Sequence, residues 1–240
     1  IKQFDSDQSK GQKEKGRKEK SAFQRKPNIM DLLWQGALCF FIAYLIGNIN
    51  TAYFLGKRKG MDIRENGSGN PGASNAMVTM GWGAGVLTGA ADIAKAALSV
   101  WIVRLIFPSV PMLWFLTAAG CIFGHLFPVF LGFRGGKGLA CLIGSLIVID
   151  WRAFLIGGAI IILVTLITDY IAIATIVLAV GFPILAYLID KGSPTTLFSV
   201  LVASAVTLAI LIKHIENIRN IISGKEIGLR KAHSGKYRKK

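Results

Sequence analysis

A polar stretch with three glycines has the residue types that suit anion binding. It reads Gly-Ser-Gly-Asn-Pro-Gly-Ala-Ser-Asn over residues 67–75. Glycine allows left-handed turns and close approach to a ligand, and successive N–H groups in such turns form an anion-binding concavity. Ser68 adds a hydroxyl donor, and the candidate phosphate-binding residues are Arg64, Gly67, Gly69, Asn70, Gly72 and Asn75. The alternative is an ordinary flexible loop. A Walker A loop is excluded because its Gly-Lys-Ser/Thr ending is absent.

A second glycine-rich run contains a lysine and follows an apolar stretch. Gly135, Gly136 and Gly138 flank Lys137, and His125 stands near the end of the preceding apolar stretch. Backbone N–H groups beside an ammonium group are suited to holding a phosphate. A lone histidine in a membrane helix is often only a packing residue, but its position beside this loop favours an anion-binding role.

A third group of polar residues lies at the end of the last apolar stretch. His214 and Asn217 are three residues apart, so they share one face of a helix. An imidazole and an amide that project together can orient an oxygen-rich ligand. The alternative is an ordinary amphipathic helix at the membrane surface.

Asp92 and Lys95 lie three residues apart inside another apolar stretch. This spacing predicts an ion pair within the membrane, although a direct role in the site is the alternative. The sequence shows neither a Ser-His-Asp arrangement nor a metal-ligand cluster, and the three cysteines are interpreted as packing residues. A site rich in anion binders and poor in bases favours a substrate that is already activated, so proximity and charge stabilisation would supply the rate.

The elements that position these residues are predicted to be membrane helices. Of the 240 residues 52% are hydrophobic and 17% charged, a charge content below that of soluble domains. Seven apolar stretches approach the length of a membrane span, which is about 20 residues, and the fourth is short enough to be a half-span. They run approximately over Leu32–Ile49, Gly83–Phe107, Pro111–Phe130, Leu139–Ile149, Ala153–Ile167, Ile171–Ile189 and Leu197–Ile212. We therefore predict an all-α integral membrane protein with about seven transmembrane helices.

The distribution of charge predicts the orientation. With seven spans, the polar motifs and the basic C-terminal tail share one side, and the positive-inside rule places that side in the cytoplasm. Residues 1–26 hold nine Lys/Arg against four Asp/Glu. Seven spans would place this basic segment outside the cytoplasm, which contradicts the positive-inside rule. The predicted organisation is a basic, disordered extension over 1–29, a membrane domain over 30–226 and a basic tail over 227–240. The net charge of +15 is attributed to contact with anionic lipid rather than nucleic acid, because no aromatic stacking platform accompanies it.

Three long motifs in this order resemble the bacterial acyl-phosphate:glycerol-3-phosphate acyltransferases. The first combines residues 56–75 with Asp92 and Lys95, the second covers 124–138, and the third covers 214–226. The resemblance implies a seven-helix enzyme of the bacterial inner membrane that transfers a fatty acyl group from acyl phosphate to the 1-hydroxyl of glycerol 3-phosphate. It also implies that no metal or other cofactor is used and that the active site faces the cytoplasm.

Carried onto this sequence, the resemblance implies the following roles. The expected catalytic residues are Ser68, Lys137, His214 and Asn217, whereas Glu226 has a structural role.

Besides Asn48-Ile49-Asn50, which stands where the family has a Ser-Ile-Pro turn, three single positions depart from the family pattern. Val78 replaces an arginine, Ala172 replaces a serine and Asn220 replaces an arginine. One charge-assisted hydrogen bond contributes about 1.5–3 kcal/mol, so these changes affect the acceptor site most. There are therefore two alternatives: a paralogue with another acceptor, and a protein that binds acyl phosphate or lipid without turnover.

Overall fold

In the computed structural model, residues 29–226, 228 and 230 are described, and this part of the chain contains helices and no strand. The predicted N-terminal extension and nearly all of the basic C-terminal tail lie outside the described residues. The helices are α1 (Ile29–Gly47), α2 (Thr51–Arg58), α3 (Ala73–Met80), α4 (Trp82–Ile106), α5 (Pro111–Leu126), α6 (Leu139–Ile149), α7 (Trp151–Thr168), α8 (Ile171–Asp190) and α9 (Thr196–Ile222). Two short 3₁₀ turns occupy Ile63–Glu65 and Val129–Leu131.

The chain divides into two units, residues 1–35 and residues 36–240. Helix α1 begins in the first unit and ends in the second. All of the predicted site residues belong to the second unit, which is described from here on.

The long helices confirm the predicted all-α integral membrane protein. Six segments of the described chain are long and apolar enough to cross a membrane: Met30–Arg58, which joins α1 and α2, then Trp82–Ile106, Pro111–Leu131, Trp151–Thr168, Ile171–Asp190 and Thr196–Ile222. Large apolar side chains on their outer faces are exposed, including Ile167 at 81%. Such a surface suits lipid as the solvent.

The fourth apolar stretch, Leu139–Ile149, forms the short helix that its length predicted. Helix α6 has 11 residues and is therefore about 16 Å long, half of a bilayer core. Arg104, in the last turn of α4, donates to the carbonyls of Val148 and Ile149 in the last turn of α6. The C-terminal ends of these two helices therefore lie side by side. The loop before α6 lies against the end of α5, where the N–H groups of Gly135 and Gly136 bind carbonyl groups.

The predicted loop between the first two spans is more ordered than expected. Residues 50–82 contain α2, a 3₁₀ turn and α3. Asn50 begins α2 by accepting a hydrogen bond from the Tyr53 N–H at 2.8 Å. The Asn50 amide also donates to the carbonyl of Pro71 at 2.9 Å, and this bond fixes the glycine-rich stretch to the end of the first span.

Close glycine contacts hold the helices under the polar face together. A Cβ added at Gly120 would lie 2.2 Å from the Phe40 carbonyl oxygen, and one at Gly124 would lie 2.1 Å from the Tyr44 carbonyl oxygen. Helices α1 and α5 therefore approach so closely that only glycine fits at these positions, as in small-residue packing of membrane helices. Gly144 gives α6 the same close contact with the backbone of Ile93 in α4.

Candidate active site

The first glycine-rich loop is shaped by the buried side chain of Asn75. Its Oδ1 accepts a hydrogen bond from the Ser68 N–H at 3.0 Å, and its Nδ2 donates to the carbonyls of Ile63 and Asn66. A side chain at Gly67 would collide with this amide, and Gly67 also has a φ of +62°. In this structure the Asn75 amide supports the loop from within, so its direct contact with a ligand stays a prediction.

The outer surface of this loop carries the free donors. Ser68 is exposed, and among the described residues neither its hydroxyl nor the Asn70 side-chain amide has a protein partner. Gly69 adopts a φ of +69°, and Gly72 is the residue before the first turn of α3. Ser68 is therefore the most accessible of these four residues to an external anion, because Gly69 and Asn70 are partly buried and Gly72 is buried.

Arg64 joins the first loop to the loop after α5. Its Nε and Nη2 donate to the two carboxylate oxygens of Asp62 at 3.0 and 2.7 Å, and its Nη1 donates to the Leu131 carbonyl at 2.9 Å. The Arg64 hydrogen bonds hold the pKa of the Asp62 carboxyl far below its usual value. The guanidinium also lies over the Tyr53 ring at 4.9 Å. Its contribution to phosphate binding stays a prediction, and Asp62 is a partner that the sequence analysis did not identify.

The second glycine-rich loop lies directly on His125. The Gly136 N–H donates to the His125 carbonyl at 3.0 Å, and a Cβ at Gly136 would lie 2.2 Å from the ring Nε2. A Cβ at Gly135 would lie 2.0 Å from the His125 carbonyl oxygen, and Gly138 has a φ of +90°. The glycines therefore let the loop pack directly on the imidazole, and contact of His125 with a ligand stays a prediction.

The predicted ion pair of Asp92 and Lys95 is confirmed, and His125 belongs to the same cluster. Lys95 Nζ lies 2.7 Å from Asp92 Oδ1 and 3.1 Å from His125 Nδ1. His125 Nδ1 also lies 3.5 Å from Asp92 Oδ1, so the three side chains form one polar cluster, and the other ring nitrogen, Nε2, faces Gly136. The Cys141 thiol lies beside Asp92 and His125 with potential ligand atoms within 4.8 Å, but Lys95 already places a cation at this point, so the residues do not suit a metal ion.

Lys137 contacts the third motif through Asn217. Lys137 Nζ donates to Asn217 Oδ1 at 2.5 Å, and Asn217 Nδ2 donates to Glu226 Oε1 at 2.6 Å. Burial lowers the pKa of the Lys137 ammonium, while the nearby carboxylates of Glu226 and Glu216 act in the opposite direction. Glu226 therefore orients Asn217, a contact that agrees with the structural role expected for it.

His214 is buried beside Asn217 on α9. Its Nδ1 lies 2.8 Å from the Ile210 carbonyl oxygen, so Nδ1 carries the proton and Nε2 keeps a lone pair. His214 can therefore accept a hydrogen bond at Nε2. Lys213, which the sequence analysis did not single out, lies over the Phe127 ring at 4.8 Å and adds a second cation at this end of α9.

The structure brings the three motifs to one end of the helices. Arg64 links the first loop to the second through Leu131, and Lys137 links the second loop to α9 through Asn217. Arg230 donates to Asp169, so the turn after α7 also lies near the chain that follows α9. Ser68 has no direct hydrogen bond to Lys137 or Asn217 within the described residues.

The three positions that depart from the family pattern differ in exposure. Val78 is 52% exposed on α3, whereas Ala172 and Asn220 are partly buried. The Asn220 carbonyl accepts hydrogen bonds from the N–H groups of Lys225 and Glu226. None of the three side chains can supply the charge or the hydroxyl group of the residue that it replaces.

Comparison with known proteins identifies the family of this chain. The family model for glycerol-3-phosphate acyltransferase matches residues 37–224. Glycerol-3-phosphate acyltransferase 1 of Oceanobacillus iheyensis is 36% identical over 195 residues, which cover 78% of this chain and 92% of that protein. The enzyme of Geotalea daltonii is 38% identical over 185 residues, which cover 77% and 92%.

A solved structure has the same fold. The crystal structure of PlsY, an integral membrane glycerol 3-phosphate acyltransferase, in its glycerol 3-phosphate form superposes with a TM-score of 0.72 at 28% identity, covering 81% of this chain and 95% of that one. Its lysophosphatidic acid form gives a TM-score of 0.69. This chain therefore belongs to the glycerol-3-phosphate acyltransferase family.

Proposed function

We propose that this protein transfers a fatty acyl group from acyl phosphate to the 1-hydroxyl of glycerol 3-phosphate. The products are lysophosphatidic acid and inorganic phosphate. Family membership and the names of the relatives support the acceptor, and they support acyl transfer as the reaction. The observation that carries the proposal is the contact of Lys137 with Asn217, because it places a cation on a glycine-rich loop beside a polar helix end.

The reaction forms one ester bond and breaks one bond to phosphate. The 1-hydroxyl oxygen attacks the acyl carbonyl carbon, the bond from that carbon to the phosphate oxygen breaks, and the hydroxyl proton passes to phosphate. Acyl phosphate is an activated donor, so a strong protein base is not required. Lys137 stabilises the charge on the departing phosphate, and the N–H groups and hydroxyl of the loop around Ser68 hold an anionic group.

The acceptor is positioned by the end of α9. His214 Nε2 has a lone pair that can accept a hydrogen bond from a hydroxyl group of glycerol 3-phosphate. The Asn217 amide is oriented by Glu226, so it presents a fixed direction to the substrate. Holding donor and acceptor together in this way supplies most of the rate, since orientation alone lowers a bimolecular barrier by about 7–11 kcal/mol.

The donor reaches the site from the bilayer. Val129, Phe130 and Phe133 are exposed beside the second loop, at 46%, 75% and 58%. Apolar side chains at this position allow an acyl chain to remain in lipid while its phosphate contacts the loop. We place the protein in the bacterial inner membrane with this face toward the cytoplasm, because Lys and Arg are concentrated in the motif loops.

A second candidate is the same chemistry with another acceptor. Val78 favours it, because an exposed apolar residue stands where an anion-binding arginine is expected. A protein that binds acyl phosphate or lipid without turnover is the remaining alternative.

The test is an acyl-transfer assay with purified protein in detergent or lipid. Fatty acyl phosphate is supplied with and without glycerol 3-phosphate, and both phosphate release and lysophosphatidic acid are measured. Lys137→Ala is expected to abolish turnover, whereas Lys191→Ala, at the exposed turn after α8, is the matched control and should retain it. Transfer only to other acceptors indicates the paralogue, and binding without any transfer refutes the enzyme.

A further inference from the structure

Lys95 makes more contacts than an ion pair requires. Its side chain is 8% exposed, and its Nζ lies within hydrogen-bond distance of Asp92 Oδ1, His125 Nδ1 and the carbonyls of Gly47 and Ile49. The two carbonyl distances are 3.2 and 2.7 Å. One ammonium group on α4 therefore contacts both the end of α1 and the imidazole on α5.

The carbonyl contacts connect Lys95 to the first loop. The last carbonyls of a helix lack partners within the helix, and a cation at that end satisfies them. Ile49 is followed directly by Asn50, whose side chain begins α2 and binds the Pro71 carbonyl at 2.9 Å. Lys95 therefore fixes the chain at the point from which the Gly67–Asn75 loop is held.

The imidazole contact connects Lys95 to the second loop. His125 is 3% exposed, and its Nδ1 contacts Lys95 while its Nε2 side packs against Gly136. The His125 carbonyl also accepts the Gly136 N–H. A shift of the ring would therefore shift the loop that carries Lys137.

We propose that Lys95 is a positioning residue for acyl transfer. Its ammonium holds the end of α1 and the His125 imidazole at one point, and it thereby sets the spacing between the Gly67–Asn75 and Gly135–Gly138 loops. Charge neutralisation alone needs only Asp92, whereas positioning needs the contacts to Ile49 and His125 as well. The kinetic part of this inference rests on the proposed function, but the structural part does not.

The decisive variant removes both charges at once. Asp92→Asn combined with Lys95→Met leaves no unpaired buried charge, so a merely neutralising pair predicts wild-type turnover. Positioning predicts a kcat lower by about 10- to 100-fold, because displacement of reacting groups by about 1 Å has an effect of this size. Lys95→Arg is the second variant, and it keeps the positive charge. A planar guanidinium cannot replace a single ammonium nitrogen that contacts Asp92, His125 and the end of α1 at once, so kcat is expected to fall here as well.

Hydrogen–deuterium exchange gives a readout that does not depend on activity. The Ser68 N–H is bound to Asn75 and the Gly136 N–H to His125, so peptides that contain them report on the two loops. Both loops are expected to exchange faster in both variants. Arg104→Gln is the matched control, since Arg104 also lies on α4 and caps the end of α6 away from the site. It should leave kcat and both loops unchanged.

The outcomes separate this inference from the proposed function. Wild-type protein that makes no lysophosphatidic acid refutes the function, and faster loop exchange in the variants still supports the positioning role. Loop exchange that matches wild type in both variants overturns the positioning role, whatever the kinetics. Wild-type kcat in the neutral double variant overturns it as well.

Discussion

Replacing Gly136 with alanine is expected to reduce turnover by about 100-fold without unfolding the protein. The added methyl carbon would lie 2.2 Å from His125 Nε2, whereas ordinary van der Waals contacts begin at 3.4 Å. The loop or the imidazole must therefore move by about 1 Å to remove the overlap. The imidazole cannot move freely, because Lys95 lies 3.1 Å from its other nitrogen.

The displaced element is therefore the loop that carries Lys137. Overpacking of a buried site costs about 1–3 kcal/mol of stability. A shift of about 1 Å at a group that contacts substrate phosphate has a larger consequence for the reaction, about 100-fold in rate. The expected pattern is a large loss of kcat with a small fall in thermal stability.

Two alanine variants serve as controls. Gly158 lies in α7 with no atom within 4 Å of an added Cβ, so Gly158→Ala should leave activity unchanged. Gly132 also has free space but a φ of +62°, and Gly132→Ala therefore tests backbone strain in the same segment without a clash at His125. Phosphate release and thermal unfolding are measured for all three. Turnover of Gly136→Ala above one third of wild type would refute the argument from steric overlap.

Three further predictions concern charge and capping. Because burial lowers the pKa of Lys137, its charge is lost at a lower pH than in a free lysine. Turnover should therefore begin to fall at a lower pH on the alkaline side of the pH–rate profile. An active Lys137→Arg variant should shift that fall to higher pH. Asp62→Asn removes the bidentate partner of Arg64 and should raise the KM severalfold. Lys57→Gln should not, because the Lys57 side chain is 52% exposed and its ammonium lies 3.6 Å from Asp62. An unchanged KM in Asp62→Asn would show that Arg64 needs no partner. Asn50→Ala removes both the cap of α2 and the hydrogen bond to the Pro71 carbonyl, and it should lower the stability by about 1–3 kcal/mol, measured as a lower midpoint of thermal unfolding.

Local spacing predicted some contacts of the site correctly. Asp92 and Lys95 pair at 2.7 Å, as residues three apart on a helix can. The short fourth stretch was also predicted as a half-span, because length alone limits what a helix can cross. The ion pair and the short helix both depend on residues that are close together in the sequence, and sequence spacing can therefore predict them.

Other features depend on distant contacts and were not predicted. Helices α2 and α3 have 8 residues each and lie in a segment that was predicted to be a loop. Helices this short are marginal by themselves, so the packing around them and caps such as Asn50 determine whether they form. The role of Lys213 was missed for the same reason, since Phe127 lies far from it in sequence. Asp62 was missed although its partner Arg64 is only two residues away.

The amino-acid sequence by itself determined that the chain is buried in lipid, where its apolar helices run and which polar motifs it carries. These properties follow from composition and helical periodicity, which act over a few residues. Only the tertiary structure decided that Lys137 contacts Asn217, 80 residues away, and that Lys95 holds the end of α1 beside His125. Such contacts depend on the depth and crossing of whole helices, which close glycine packing sets and which no local pattern specifies.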